Sequence, residues 1–143
     1  MIGLFLIARI ADERVALPTV AVGSVVEVDQ VAPVPRVAPH IAGLFALRSR
    51  VLTVIDSRAA LGLGRIVCTG IGTAVIVESD GHSYALLVDE VEDVVEALPP
   101  AACPSVLEPG WRRVALGTIR HEGQALLLVD PIALIAGEER SAA

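Results

Sequence analysis

The chain has 143 residues, 54% of them hydrophobic but only 3% aromatic, and a formal net charge of −6. That length suits one compact domain or two very small ones sharing a core, and the core must be aliphatic. The acidic balance, with dispersed charges, argues against nucleic acid as a partner. All 11 basic residues are Arg, so neither a phosphate-loop lysine nor a Schiff-base lysine exists. The uncharged runs Val15 to Val26 and Ile66 to Val77 end well short of the ~20 apolar residues of a membrane span. The start, MIGLFLIARIADER, lacks a basic n-region and a small-residue cleavage site. The expectation is a soluble cytoplasmic protein with no direct membrane insertion.

In chain order the pattern is strand after strand. GLFLIARI, a polar ADER and VALPTV read as a hairpin, and so do TAVIVES, a DGH turn and SYALLVDEV, where Asp80-Gly81 suits a tight turn. Val, Ile and Leu dominate, and the prolines fall mostly between apolar runs. Helix signals are sparse. There is a turn around Pro39 to Gly43, a short stretch near Arg58 to Leu63, and a terminal stretch after Asp130, where Pro131 fits a first helical position. The predicted class is mainly β.

The chain reads as if written twice. VGSVVEV (Val22 to Val28) resembles VEDVVEA (Val91 to Ala97), and SRVLTVIDSRAAL (Ser49 to Leu61) resembles GQALLLVDPIALI (Gly123 to Ile135), aligning Asp56 with Asp130. Two small barrels sharing an apolar core follow, within one domain over 1–143. The first spans 1–65, completed by part of the chain end, and the second spans 70–136.

Candidate chemistry is thin. His40, His82 and His121 are scattered, His82 in an expected turn tip, and none stands at metal-ligand spacing from Cys68 or Cys103. The two cysteines lack CxxC spacing and fit buried free thiols. No serine lies in a G-x-S-x-G setting. GLG at Gly62 and GIG at Gly70 lack the third glycine of a dinucleotide loop. The acidic run Val88 to Glu96 interleaves charges with valines, as a strand with one face in water does. No catalytic residue, metal or cofactor is expected.

The stretch IAGLFALRSRVLTVIDSR, Ile41 to Arg58, resembles the signature of the CheW-like family of bacterial chemotaxis coupling proteins, matched by Ile41, Gly43, Leu47, Arg48, Asp56, Arg58, Leu61 and Gly62. The resemblance extends back through VALPTVAVGSVVEVDQVAPVP and forward through YALLVDEVEDVVE and ALGTIRHEGQALLLVDP, nearly the whole chain. It implies two five-stranded, SH3-like β-barrels around a shared core, with short helices including one at the C-terminus. It also implies a non-catalytic adaptor of a two-component system, bridging the regulatory domain of a chemotaxis histidine kinase to the cytoplasmic tip of chemoreceptors. Carried over by position, the kinase-facing surface includes Val22, Gly43, Leu44 and Arg48, and Thr73 and Val75 are receptor-side candidates. Asp56 and Arg58 are expected to be structural, fixing the turn into a short helix. The chain has Ser24, Ser49 and Thr53 where the family commonly has Glu, Gly and Pro. That Glu is the usual partner of the Arg in the LR motif, so Glu27 or Asp29 is expected to replace it. Two other readings stay open: a scaffold for a different kinase pathway, such as type IV pilus or gliding motility, and a small hydrolase.

Overall fold

The computed structural model describes residues 3–66, 72–98, 100–103 and 106–137. Ten strands follow in order: β1 Gly3–Ile10, β2 Glu13–Pro18, β3 Val22–Val28, β4 Ile41–Leu47, β5 Arg50–Asp56, β6 Gly72–Ser79, β7 His82–Val88, β8 Glu90–Ala97, β9 Ala115–His121 and β10 Gln124–Val129. Short helices are α1 Ser57–Ala60, α2 Pro109–Val114 and α3 Pro131–Ala136, with a 3-10 turn at Thr19–Ala21. No helix among the described residues is long and apolar enough to cross a membrane.

The strands form two five-stranded sheets, a first in the order β8-β1-β2-β10-β9 and a second in the order β3-β6-β7-β5-β4. Their strand orders correspond if β1–β5 are matched to β6–β10, which is the repeat read from the sequence. Yet each sheet draws on both halves. The hairpin β1–β2 is inserted between β8 and β10, and β6–β7 between β3 and β5, through the parallel pairs β10–β2 and β5–β7. Strands β1–β5 and β6–β10 thus repeat one order, while the sheets interlock them. The ladders do not close: β8 and β9 end one sheet, and β3 and β4 the other, so the expected barrels are open, SH3-like sheets.

Interlocking explains the long apolar runs of the inner strands β1 and β6. In β1, Phe5 and Ile7 face the interior of the first sheet with Ala16, Ile119, Leu126 and Leu128, while Leu6, Ala8 and Ile10 face a core shared by both sheets. In β6, Ala74 and Ile76 face the second sheet's interior with Phe45, Leu52 and Val54, and Val75 and Val77 join the shared core. A strand buried on both faces shows no alternation.

Four two-residue turns join the hairpins. Asp80 and Gly81 have φ of 51° and 79°, and Glu122 and Gly123 have φ of 50° and 77°, as the twist of a tight hairpin requires. His82 is therefore not at the turn tip but begins β7. The turn expected around Pro39 ends at His40, after which β4 begins.

Helix α2 has no counterpart in the sequence reading; it starts at Pro109, whose missing N–H costs nothing at a first helical position. Cys103 is exposed rather than buried, on the irregular stretch after β8, and Cys68 lies outside the described residues. The acidic run forms the edge strand β8, where Glu92 pairs with Arg9 and Arg14 at 3.6 and 3.2 Å.

Candidate partner-binding surface

The LR segment builds the β4–β5 hairpin. Register places Leu44 opposite Thr53 and Ala46 opposite Val51, and Thr53 beside Tyr84 of β7. These five side chains share the outer face of the second sheet, because Phe45, Leu52 and Ala85, their strand neighbours, point into its interior. Leu44 keeps 38% and Val51 67% of its surface accessible. Toward the strand ends the same face continues into Ile55 and Leu86 of the shared core. The exposed patch is thus the outer end of a surface that is otherwise buried.

Arg48 stands at the tip of this hairpin with φ of 58°, a left-handed conformation that favours glycine. It is exposed and forms no ion pair or side-chain hydrogen bond among the described residues. The expected substitution of Glu27 or Asp29 for the missing glutamate does not occur. Ser24 is also exposed, on β3 at the far edge of the sheet. Arg50, next along, is held instead by Ser83 and by Glu78 at 3.5 Å.

The other site candidates do not join this patch. Gly43 is buried with φ of 150°, and a Cβ there would strike the Ala32 carbonyl. Its bareness lets the segment before β4 cross the strand, with Ala32 and Leu44 exchanging N–H to carbonyl bonds of 2.8 and 2.9 Å. Val22 and Thr73 are half-buried on β3 and β6, the opposite side of the sheet from β4. Val75 has 0% of its surface accessible and belongs to the shared core, so it offers a partner nothing to touch.

Asp56 and Arg58 lie behind the patch. Asp56 closes β5 and caps α1: its Oδ1 accepts from the Ala59 N–H at 3.1 Å and its Oδ2 from the Ile66 N–H at 2.9 Å. Arg58 reaches Asp12 at 3.4 Å and Asp89 at 3.5 Å, tying α1 to the β1–β2 turn and to the junction after β7. Arg113, which sequence reasoning missed, donates to the carbonyls of Ala60, at the end of α1, and of Ala133, within α3. Val51, Ala46 and Tyr84 were missed because a continuous apolar run hides which residues point outward.

The histidines occupy three unrelated settings. His40, 8% exposed, donates from Nε2 to the Ile135 carbonyl at 2.8 Å and packs on Gly137. His121 lies 3.6 Å from Glu122, and His82 is exposed. Among the described residues no group of three or more His, Cys, Asp or Glu is placed to hold a metal ion.

Comparison with known proteins bears on what such a surface is for. A family model described as the CheW-like domain matches residues 4–139. Over 139 residues the chain is 27% identical to the chemotaxis protein CheW of Rhizobium meliloti (strain 1021), spanning 94% of this chain and 88% of that protein. The crystal structure of the scaffolding protein TtCheW from Thermoanaerobacter tengcongensis shares the fold with a TM-score of 0.75 at 22% identity, covering 90% of this chain and 89% of that one.

Proposed function

Because the chain belongs to the CheW-like domain family, we propose that it is a non-catalytic scaffold that couples the regulatory domain of a chemotaxis histidine kinase to the cytoplasmic tip of chemoreceptors. The observation that carries this reading is the face on which Leu44, Ala46 and Val51 are exposed beside half-buried Thr53 and Tyr84, with Arg48, unpaired among the described residues, at its margin. An apolar centre with a charged rim is how protein interfaces are composed. On this reading the patch receives the kinase, with Leu44 and Arg48 as contacts and Gly43 shaping the strand beneath them. The receptor contact lies on the β3–β6 side, where Thr73 retains accessible surface; Val22, a kinase-facing candidate by the resemblance, stands on this side as well, away from the β4–β5 patch, and is not assigned to the kinase contact.

Binding measurements with purified partners test it. Val51→Glu is expected to weaken kinase-domain affinity about tenfold or more, as loss of a central contact does, with an unchanged melting temperature. Thr73→Arg is expected to weaken receptor binding and leave kinase binding intact. A kinase regulatory domain from a pilus or gliding pathway is the comparison ligand: tighter binding to it than to a chemotaxis kinase would assign the scaffold to that pathway. If Val51→Glu binds every kinase domain as the parent does, the patch is not the coupling surface.

A further inference from the structure

The segment from Val31 to Pro39 crosses the end of the second sheet as a strap and borders an open cavity of about 530 Å³. Its volume falls within the range of small-molecule sites, roughly 300 to 1,000 Å³. The floor is Leu87, part of the second sheet's interior, and Ile66, which packs against it. Val34 and Val37 of the strap and Ile41 form apolar walls. The cavity therefore reaches the second sheet's interior at Leu87, and its lining is both polar and apolar.

Three charged residues line it: Arg36, Arg65 and Asp56. Asp56 is buried, and both its oxygens are taken by the Ala59 and Ile66 N–H groups. Arg36 and Arg65 are exposed and form no ion pair among the described residues. Two guanidinium groups without an ion pair thus share the cavity with one carboxylate, which leaves its lining positive in a chain of net charge −6. The strap's backbone is also restricted. Pro33, Pro35 and Pro39 restrict its backbone, and Arg36 follows Pro35 with φ of 62°, where a turn of this kind favours glycine. A long side chain is held there against the local backbone preference.

We propose that this cavity binds a small organic anion, a carboxylate held by Arg36 and Arg65 with its hydrocarbon body lying on Ile66 and Leu87. Guanidinium forks match carboxylates in geometry and charge, and the apolar floor selects for the body. The site is separate from the β4–β5 patch and does not depend on the scaffold reading.

Calorimetric titration of the full chain with octanoate tests this, with octylamine sharing the body but reversing the charge and acetate supplying the head alone. Saturable octanoate binding is expected, at least about tenfold tighter than either control, a difference equal to about 1.4 kcal/mol. Arg36→Gly and Arg65→Gln should each weaken octanoate about tenfold, while Arg120→Gln on β9 leaves it unchanged. Because glycine suits the Arg36 backbone, Arg36→Gly should not lower the melting temperature, so its loss of binding is not a loss of folding. Absence of saturable binding overturns the proposal. So does equal affinity for octylamine, or indifference to both arginine substitutions.

Discussion

Asp56 and Asp130 occupy the same place in the two halves: each follows the last strand of its repeat and each caps the helix beginning at the next residue. They differ in what they hold. Asp56 accepts from Ala59 and Ile66 and is buried, whereas Asp130 accepts from Ile132 at 3.0 Å and is only half-buried. Losing a cap costs about 1 kcal/mol, and stranding a buried N–H adds about 1 to 3 more. Chemical denaturation should therefore rank Asp56→Ala as the more damaging, by at least about 1 kcal/mol. Equal costs would mean that the Ile66 bond contributes nothing.

Gly43 and Gly117 form a second matched pair. At each, φ is positive, 150° and 157°, and a Cβ would collide with a carbonyl, that of Ala32 or Ala101, where a crossing segment bridges the strand. Gly81 and Gly123 also have positive φ but open space around them. Alanine at Gly81 or Gly123 is expected to cost about 1 to 2 kcal/mol from backbone conformation alone. Alanine at Gly43 or Gly117 should cost clearly more, because backbone must also move, and thermal melts of the four variants make the comparison.

Arg113 is the next position to probe. Its guanidinium joins the end of α1 to Ala133 within α3, which come from different halves, while among the described residues its neighbour Arg112 bonds only the nearby Leu107 carbonyl at 2.8 Å. Arg113→Met keeps much of the aliphatic bulk and removes the donors. It should lose about 1.5 to 3 kcal/mol, the range for charge-assisted hydrogen bonds. Arg112→Met should change stability by less than about 0.5 kcal/mol, as exposed substitutions do. If the two are equivalent in denaturant titrations, the bridge between the halves is not holding them.

For Arg48 the two measurements should separate. The side chain has no partner to lose among the described residues, so Arg48→Glu is expected to leave the melting temperature nearly unchanged. Kinase affinity should fall by about 2 kcal/mol or more, the scale for a charged interfacial contact. Arg48→Gly should weaken binding in the same direction while raising stability by about 1 kcal/mol, since it relieves a left-handed backbone. A stable Arg48→Glu variant that binds at parental strength would exclude the residue from the interface.

The strand content, the repeat and the equivalence of Asp56 with Asp130 were legible because they rest on local chemistry: β-branched runs, turn residues and a carboxylate placed before a helical stretch. The alignment of Ser49 to Leu61 with Gly123 to Ile135 needs no knowledge of where either segment sits. Four features were not legible. The burial of Val75 could not be seen because β6 is continuously apolar from Ala74 to Val77, and such a run carries no sign of which face meets the partner and which the shared core. The outward direction of Val51 was hidden for the same reason. Helix α2 went unread because a single turn of helix is stabilised by what it packs on; Gly110 lies so close to the Leu61 carbonyl that no Cβ fits between them. Gly43 was read as a surface position because a motif gives order along the chain and not depth.

The amino-acid sequence by itself determined the mainly β class, the doubled strand order and the arginine-only, aliphatic chemistry, since each follows from residue type and spacing. Tertiary structure alone decided that the hairpins β1–β2 and β6–β7 sit in the sheets of the opposite halves. Two copies of one strand order can pair within a half or across halves with the same local propensities. What separates those arrangements is the burial of Leu6, Val15, Val75 and Leu86 against one another, all four with 4% or less of their surface accessible. That core exists only when both sheets are assembled, because its apolar area leaves water through contacts between residues far apart in the chain.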